Sequence, residues 1–161
     1  MIKKLSFEEL FTIARSMEKD GYDFYTQASG KTSDAQLSEC FARLANWESR
    51  HIDVINAIEA DCAAMEQTQV RDPMSEVSAY IHAVVKGSIF DLDKSANEQV
   101  EKISTERELF SYACELEKKS ILFYTGLRMS LPQKAGDIVE KLIKEETKHL
   151  TFLNEKLSKL A

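Results

Sequence analysis

The chain carries an internal repeat, and that repeat constrains its fold more than any other feature. In the first half, Glu18 is followed seven residues later by Tyr25, and Glu48 three residues later by His51. In the second half, Glu117 precedes Tyr124 and Glu146 precedes His149 at the same spacings. The copies are offset by 99 residues at the Glu–Tyr segment and by 98 at the Glu-x-x-His segment. Leu44 and Leu142, each four residues before its Glu, extend the match. Spacings of three, four and seven put side chains on one face of an α-helix. The repeat therefore calls for two similar helical hairpins, related by a pseudo-twofold axis, with their Glu and His residues facing inward.

Local signals agree with four long helices. Ser6 and Glu9 form a capping box, and Leu10, Phe11, Ala14, Met17, Phe24 and Tyr25 then recur at helical spacing. This predicts a helix over 7–29 with Gly30 as its C-terminal cap. Ser33 or Asp34 starts the second helix, which Leu37, Phe41, Leu44, Trp47, Ile52, Ile55 and Ile58 carry to about residue 66, and Pro73 bars its continuation. Thr105 and Glu108 form a second capping box for a helix that runs through Leu109, Phe110, Ala113, Leu116, Ile121, Phe123 and Tyr124 to about Met129. Ser130-Leu131-Pro132 breaks it. Ile138, Val139, Leu142, Ile143, Leu150, Phe152, Leu153 and Leu157 define a last helix that runs nearly to the C-terminus. Residues 67–104 form a connection, with a short amphipathic helix over Met74–Lys86 and a polar stretch after Gly87 that has room for a second. Short turns make each hairpin antiparallel, and the long connection can run back along the molecule. The expected architecture is all-α, one domain over 1–161: a ferritin-like four-helix bundle of two antiparallel hairpins joined by a long crossover containing a short helix. Only five Gly and two Pro in 161 residues agree with few long elements and argue against an all-β fold.

The charge pattern narrows the partners. The formal net charge is −6 and there is no basic stripe, so neither nucleic acid nor an anionic membrane surface is expected to bind. No apolar run approaches the roughly 20 residues of a membrane span, and the N-terminal segment lacks the apolar centre of a signal peptide. Cys40, Cys62 and Cys114 form no Cys-x-x-Cys pair, which speaks against a disulfide framework or a thiolate metal knuckle. A reducing cytoplasm is the expected location.

The chemistry follows from where the carboxylates lie. Glu48 and His51 share a stripe with Leu44 and Ile55, and Glu146 and His149 share one with Leu142 and Leu153. Glu18 lies among Phe11, Ala14 and Tyr25, and Glu117 among Phe110, Cys114, Ile121 and Tyr124. These acids therefore sit in apolar stripes, where an unpaired carboxylate is expensive. At about 1.5 Å per helical residue, Glu18 lies roughly 20 Å from its turn, and Glu48 and His51 lie about 22–28 Å along the next helix. Glu117 and Glu146 are each about 15 residues from Pro132. All six groups can thus meet at one depth. A Glu from each of two helices plus Glu-x-x-His from each of the other two is the ligand set of carboxylate-bridged dimetal bundles. Mixed carboxylate and imidazole donors suit Fe or Mn. One Glu-x-x-His alone is a weak signal; its doubling, with matched Glu residues on the preceding helices, is what makes it specific.

These residues resemble the ferritin-like superfamily and, within it, the rubrerythrin-like group, over both hairpins. The resemblance implies two non-haem irons, with manganese as the alternative. Glu48 and Glu146 would bridge, Glu18 and Glu117 would be terminal or bridging, and His51 and His149 would bind one iron each. Tyr25 and Tyr124 would orient the carboxylates by hydrogen bonds. It also implies reaction with dioxygen or hydrogen peroxide in peroxide or iron detoxification, an unidentified electron donor and a homodimer. The alternative is an iron-binding or storage module without turnover. The pattern departs from rubrerythrins at two points. There is no cysteine set for a rubredoxin-like domain, and the position where they carry an extra Glu one turn after the helix-3 carboxylate is Ser120, with Gly21 as its mate. The site resembles a symmetric six-ligand arrangement.

Other polar and aromatic residues have plainer expectations. His82, in the connection, reads as a surface or packing residue, and Cys114, one turn before Glu117 on the inward face, reads as core packing rather than a metal ligand. Trp47 points about 100° away from Glu48 and is expected to pack against another helix or a second copy. Tyr22 reads equally as core or as a neighbour of the Glu18 carboxylate. Glu145, whose mate in the repeat is Trp47, reads as a surface residue.

Overall fold

The computed structural model describes residues 5–64, 76–86 and 96–160. Among them every regular element is an α-helix: α1 (Phe7–Lys31), α2 (Ala35–Ala64), α3 (Glu76–Lys86), α4 (Ala96–Lys102), α5 (Glu106–Ser130) and α6 (Gln133–Ser158). No described helix is long and apolar enough to cross a membrane. Both capping boxes form. The Ser6 hydroxyl accepts from the Glu9 amide while Glu9 accepts from the Ser6 amide, and Thr105 and Glu108 exchange the same pair. Asp34 rather than Ser33 opens α2, its carboxylate accepting from the amides of Gln36 (2.8 Å) and Leu37 (3.1 Å). Across the same turn the Ser29 and Ser38 hydroxyls each donate to the other's backbone carbonyl at 2.9 Å, tying α1 to α2.

Gly30 does not cap α1. No glycine among the described residues has positive φ, and α1 continues to Lys31 with Thr32 as an extended C-cap. The Lys31 side chain explains the extra turn. Its ammonium donates to the carbonyl of Val100 at 2.5 Å and to that of Ile103, holding the C-terminal end of α4. The polar stretch after residue 88 therefore contains a second short helix. The predicted end of the second helix near residue 66 and the beginning of the Met74 helix lie outside the described residues, as do residues 65–75 and 87–95 of the expected crossover.

Helices α1 and α2 pack along each other, as do α5 and α6, and the two pairs meet through α2–α6 and α1–α5. Two apolar clusters result. One gathers Phe11, Met17, Ile55, Ile58, Phe123, Val139 and Leu142, closed over by Val77 and Ile81 of α3. The other gathers Phe24, Phe41, Leu44, Phe110, Leu116 and Leu153, with Val100 of α4 packed in. Along each long helix the residues of one cluster precede the Glu or Glu-x-x-His position and those of the other follow it. The polar layer thus lies between two dry ends, each contributed by all four long helices.

The seat of α3 on α5 depends on Gly126. A Cβ there would stand 2.8 Å from two ring atoms of Tyr80 and 3.0 Å from Ile81. The ring cannot simply swing away, because the Tyr80 hydroxyl donates to the Leu122 carbonyl at 2.9 Å. Overpacking typically costs about 1–3 kcal/mol, against roughly 1 kcal/mol gained from replacing a helical glycine by alanine. Gly126→Ala is therefore expected to lower the melting temperature by a few degrees and to loosen α3, seen as faster amide exchange over residues 77–85 with α6 unaffected. Unchanged exchange in α3 would refute this account of the contact.

Candidate metal centre

The six repeat residues converge as their spacing predicts. Glu18, Glu48, His51, Glu117, Glu146 and His149 are all buried, none more than 6% exposed. Their ligand atoms form two overlapping groups. One comprises Glu18, Glu48, His51 and Glu146, the other Glu48, Glu117, Glu146 and His149, and within each group the atoms lie within 4.8 Å of one another. Glu48 and Glu146 belong to both. Each helix contributes through its inward stripe, one turn from large apolar neighbours. Gly21 makes room for one of the shared acids: a Cβ there would lie 3.3 Å from the Glu48 carboxyl carbon.

Both imidazoles turn Nδ1 toward the carboxylates. His51 Nδ1 is 2.9 Å from Glu146 Oε1, 3.1 Å from Glu18 Oε2 and 3.8 Å from Glu48 Oε2. His149 Nδ1 is 3.1 Å from Glu146 Oε2 and 3.8 Å from Glu117 Oε2. The tyrosines act crosswise. The Tyr25 hydroxyl of the first hairpin donates to Glu117, and the Tyr124 hydroxyl of the second donates to Glu18. Each hairpin therefore holds the other's carboxylate.

The electrostatics of this layer are unfavourable to anions. Burial pushes the Glu48 and Glu117 carboxyls well above the usual range, and the neighbouring Glu146 pushes them further. Burial and Glu18 raise Glu146 as well. Burial would also raise Glu18, but hydrogen bonds with His51 and Glu48, the nearby His51 charge and the Tyr124 hydroxyl outweigh it, and its carboxyl is held low. His51 goes the other way from an ordinary buried histidine: burial disfavours its charge, yet Glu146, Glu18 and Glu48 together raise it strongly. His149 is lowered by burial, with Glu117 opposing. Both tyrosines are raised by burial and by the adjacent carboxylates, so they stay protonated donors.

The donor set fits a metal ion. Two carboxylate oxygens crowd a single His51 nitrogen, which has one proton to give. Glu146 Oε1, although 2.9 Å away, is left as a buried oxygen with no aligned hydrogen bond. Buried acceptors without donors are costly. A cation at that point would satisfy Glu146 Oε1, the Glu18 and Glu48 carboxylates and the His51 Nδ1 lone pair at once. The buried Glu and His groups could thus hold a metal ion in place of the protons that they otherwise retain.

Two contacts escaped the sequence reading. Glu145 is not simply a surface residue: its side chain is 54% exposed, but its Oε2 lies 3.0 Å from His51 Nε2, on the far side of the ring from the cluster. Trp47 packs on another helix, and its target is the centre itself, its ring stacked on His149 with centroids 4.6 Å apart and planes 6° from parallel. The repeat held the missing signal. Trp47 and Glu145 are mates, each one residue before a cluster Glu, and each reaches across to the other hairpin's His. Around them a groove of about 440 Å³ opens over both imidazoles, lined also by Arg50, Val54 and Lys148. Tyr22 is exposed rather than part of the core, and Cys114 is buried in the apolar cluster. His82 lies on α3 outside both ligand groups. No family model matches this chain, and neither does any curated protein or solved structure.

Proposed function

We propose that the chain is a ferritin-like four-helix bundle, rubrerythrin-like in its ligand pattern, that holds two iron ions between its hairpins and reacts with hydrogen peroxide or dioxygen. The observation that carries this reading is the pair of overlapping ligand groups sharing Glu48 and Glu146. One cation among six ligands would leave half of the layer uncompensated. Two cations would give each imidazole its own partner, with Glu48 and Glu146 available to both. Glu18 and His51 would complete one position, Glu117 and His149 the other. Carboxylate and imidazole donors take Fe or Mn, and elemental analysis of the purified protein distinguishes them.

Two ferrous ions held by Glu18, Glu48, His51, Glu117, Glu146 and His149 would supply the two electrons needed to reduce hydrogen peroxide, with two protons, to two waters. The protein's own part is positional. The crosswise tyrosines keep Glu18 and Glu117 from swinging out, and the two apolar clusters exclude water above and below the layer. The α2–α6 groove, about 440 Å³ and open over both imidazoles, gives a small reactant such as hydrogen peroxide or dioxygen a route to the layer. Arg50 and Lys148 at its rim give an acidic interior a cationic approach.

Protein loaded anaerobically with ferrous iron is expected to bind about two ions per chain and to oxidise both when peroxide is added. Sustained peroxide consumption with a supplied electron donor supports catalysis. A single oxidation that then stalls supports iron binding or storage instead. If the double variant Glu48→Ala, His149→Ala takes up iron as well as the parent, the site assignment is wrong.

A further inference from the structure

The two ligand groups are chemically equal: each has three Glu and one His, and each His presents Nδ1 to them. Behind the imidazoles the repeat is broken. Behind His51 stands a carboxylate, Glu145 Oε2, 3.0 Å from Nε2. Over His149 lies the face of Trp47, and no acceptor meets its Nε2 among the described residues. A carboxylate accepting from Nε2–H does two things to a ligating histidine. It fixes the tautomer with the lone pair on Nδ1, and it raises the basicity of that lone pair. A stacked indole restrains the plane of the ring and does neither.

Resting on the dimetal reading above, we infer that the two metal positions are unequal and fill in order, the His51 position first, with Glu145 as the positioning residue that sets the order. The His149 position, behind its Trp47 plate, is then the later and more exchangeable one. Partners of this kind are typically worth about 10–100-fold in metal affinity. Because Glu145 is half hydrated, the difference belongs toward the lower end of that range.

The chain has three histidines, so its imidazoles can be followed separately. The test is a zinc titration of metal-free protein labelled with 15N-histidine, zinc being redox-inert. The first equivalent is expected to shift the His51 nitrogens, the second those of His149, and neither those of His82. In Glu145→Ala, a half-exposed position where folding is not at stake, His51 should lose about tenfold in affinity and the two histidines should respond together. Glu145→Gln, which keeps an acceptor without the charge, should fall between. Parent protein whose His51 and His149 respond together, or in the reverse order, overturns the inference while leaving two metals per chain intact. An order that survives in Glu145→Ala overturns the role of Glu145. If zinc shifts neither histidine, the inference fails together with the dimetal reading beneath it.

Discussion

Replacing Glu48 by Gln is expected to make the metal-free protein more stable and to abolish tight metal binding at both positions. The two effects share one cause. Glu48 is 4% exposed, and its carboxyl is pushed up first by burial and then by Glu146, Glu18 and Glu117, with only His51 pulling the other way. Glutamine keeps the volume and a carbonyl acceptor but has nothing to ionise, so folding no longer has to hold a proton on a carboxylate there. Replacing poorly compensated buried ionic groups commonly stabilises by about 1–4 kcal/mol. At about 2 kcal/mol, the melting temperature of a chain this size should rise by roughly 4–8 °C. Glu48 also belongs to both ligand groups, so its loss is felt twice. Outer partners of a metal ligand alone are worth about 10–100-fold, and loss of a shared ligand should cost more than about 100-fold at each position. Thermal unfolding in chelator and calorimetric metal titration check the two halves. A merely structural hydrogen-bond layer predicts the opposite first result, a variant less stable than the parent.

What could be read from the sequence was whatever repeats along a single helix. Glu18, Glu48, His51, Glu117, Glu146 and His149 could be placed in one layer because helical periodicity puts each among core residues and the turns fix their depth. The capping boxes at Ser6 and Thr105 were legible for the same reason, since both partners lie within four residues. What escaped depends on how two helices are rotated against each other. Position 145 on an isolated helix faces solvent; only the approach of α2 brings His51 Nε2 to it. The crosswise bonding of Tyr25 to Glu117 and of Tyr124 to Glu18 likewise joins residues 92 and 106 apart. The last turn of α1 and the short α4 are held by Lys31 donating to carbonyls some 70 residues away, which no local propensity encodes.

The metal-free protein is expected to lose stability as pH rises above about 6.5, and bound metal should cancel that loss. In the folded state Glu48, Glu117 and Glu146 have raised pKa values and keep protons that the unfolded chain releases above its ordinary value of 4.5. His51, also raised, keeps a proton that the unfolded chain releases above 6.5. For each of these groups stability is fully present below the unfolded pKa and drains away as pH climbs toward the folded one. The opposing groups are silent in this window. His149 is lowered, so its contribution is complete above 6.5 and is lost only as pH falls below that value. Glu18, lowered from 4.5, matters only at more acid pH. One extra proton held by the folded state corresponds to about 1.4 kcal/mol per pH unit, or roughly 3–6 °C of melting temperature. Divalent cations displace those protons, so the slope should flatten once both positions are filled. At about a thousandfold excess over Kd each site adds about 4 kcal/mol, and two sites should raise the melting temperature by on the order of 15 °C or more. Melting curves from pH 6.5 to 8.5, in chelator and with ferrous or manganous ion, measure both effects. A metal-free protein that gains stability with pH, or a slope that metal leaves untouched, would mean that the buried acids are already compensated by groups within the protein, and the layer would lose its reason to recruit cations.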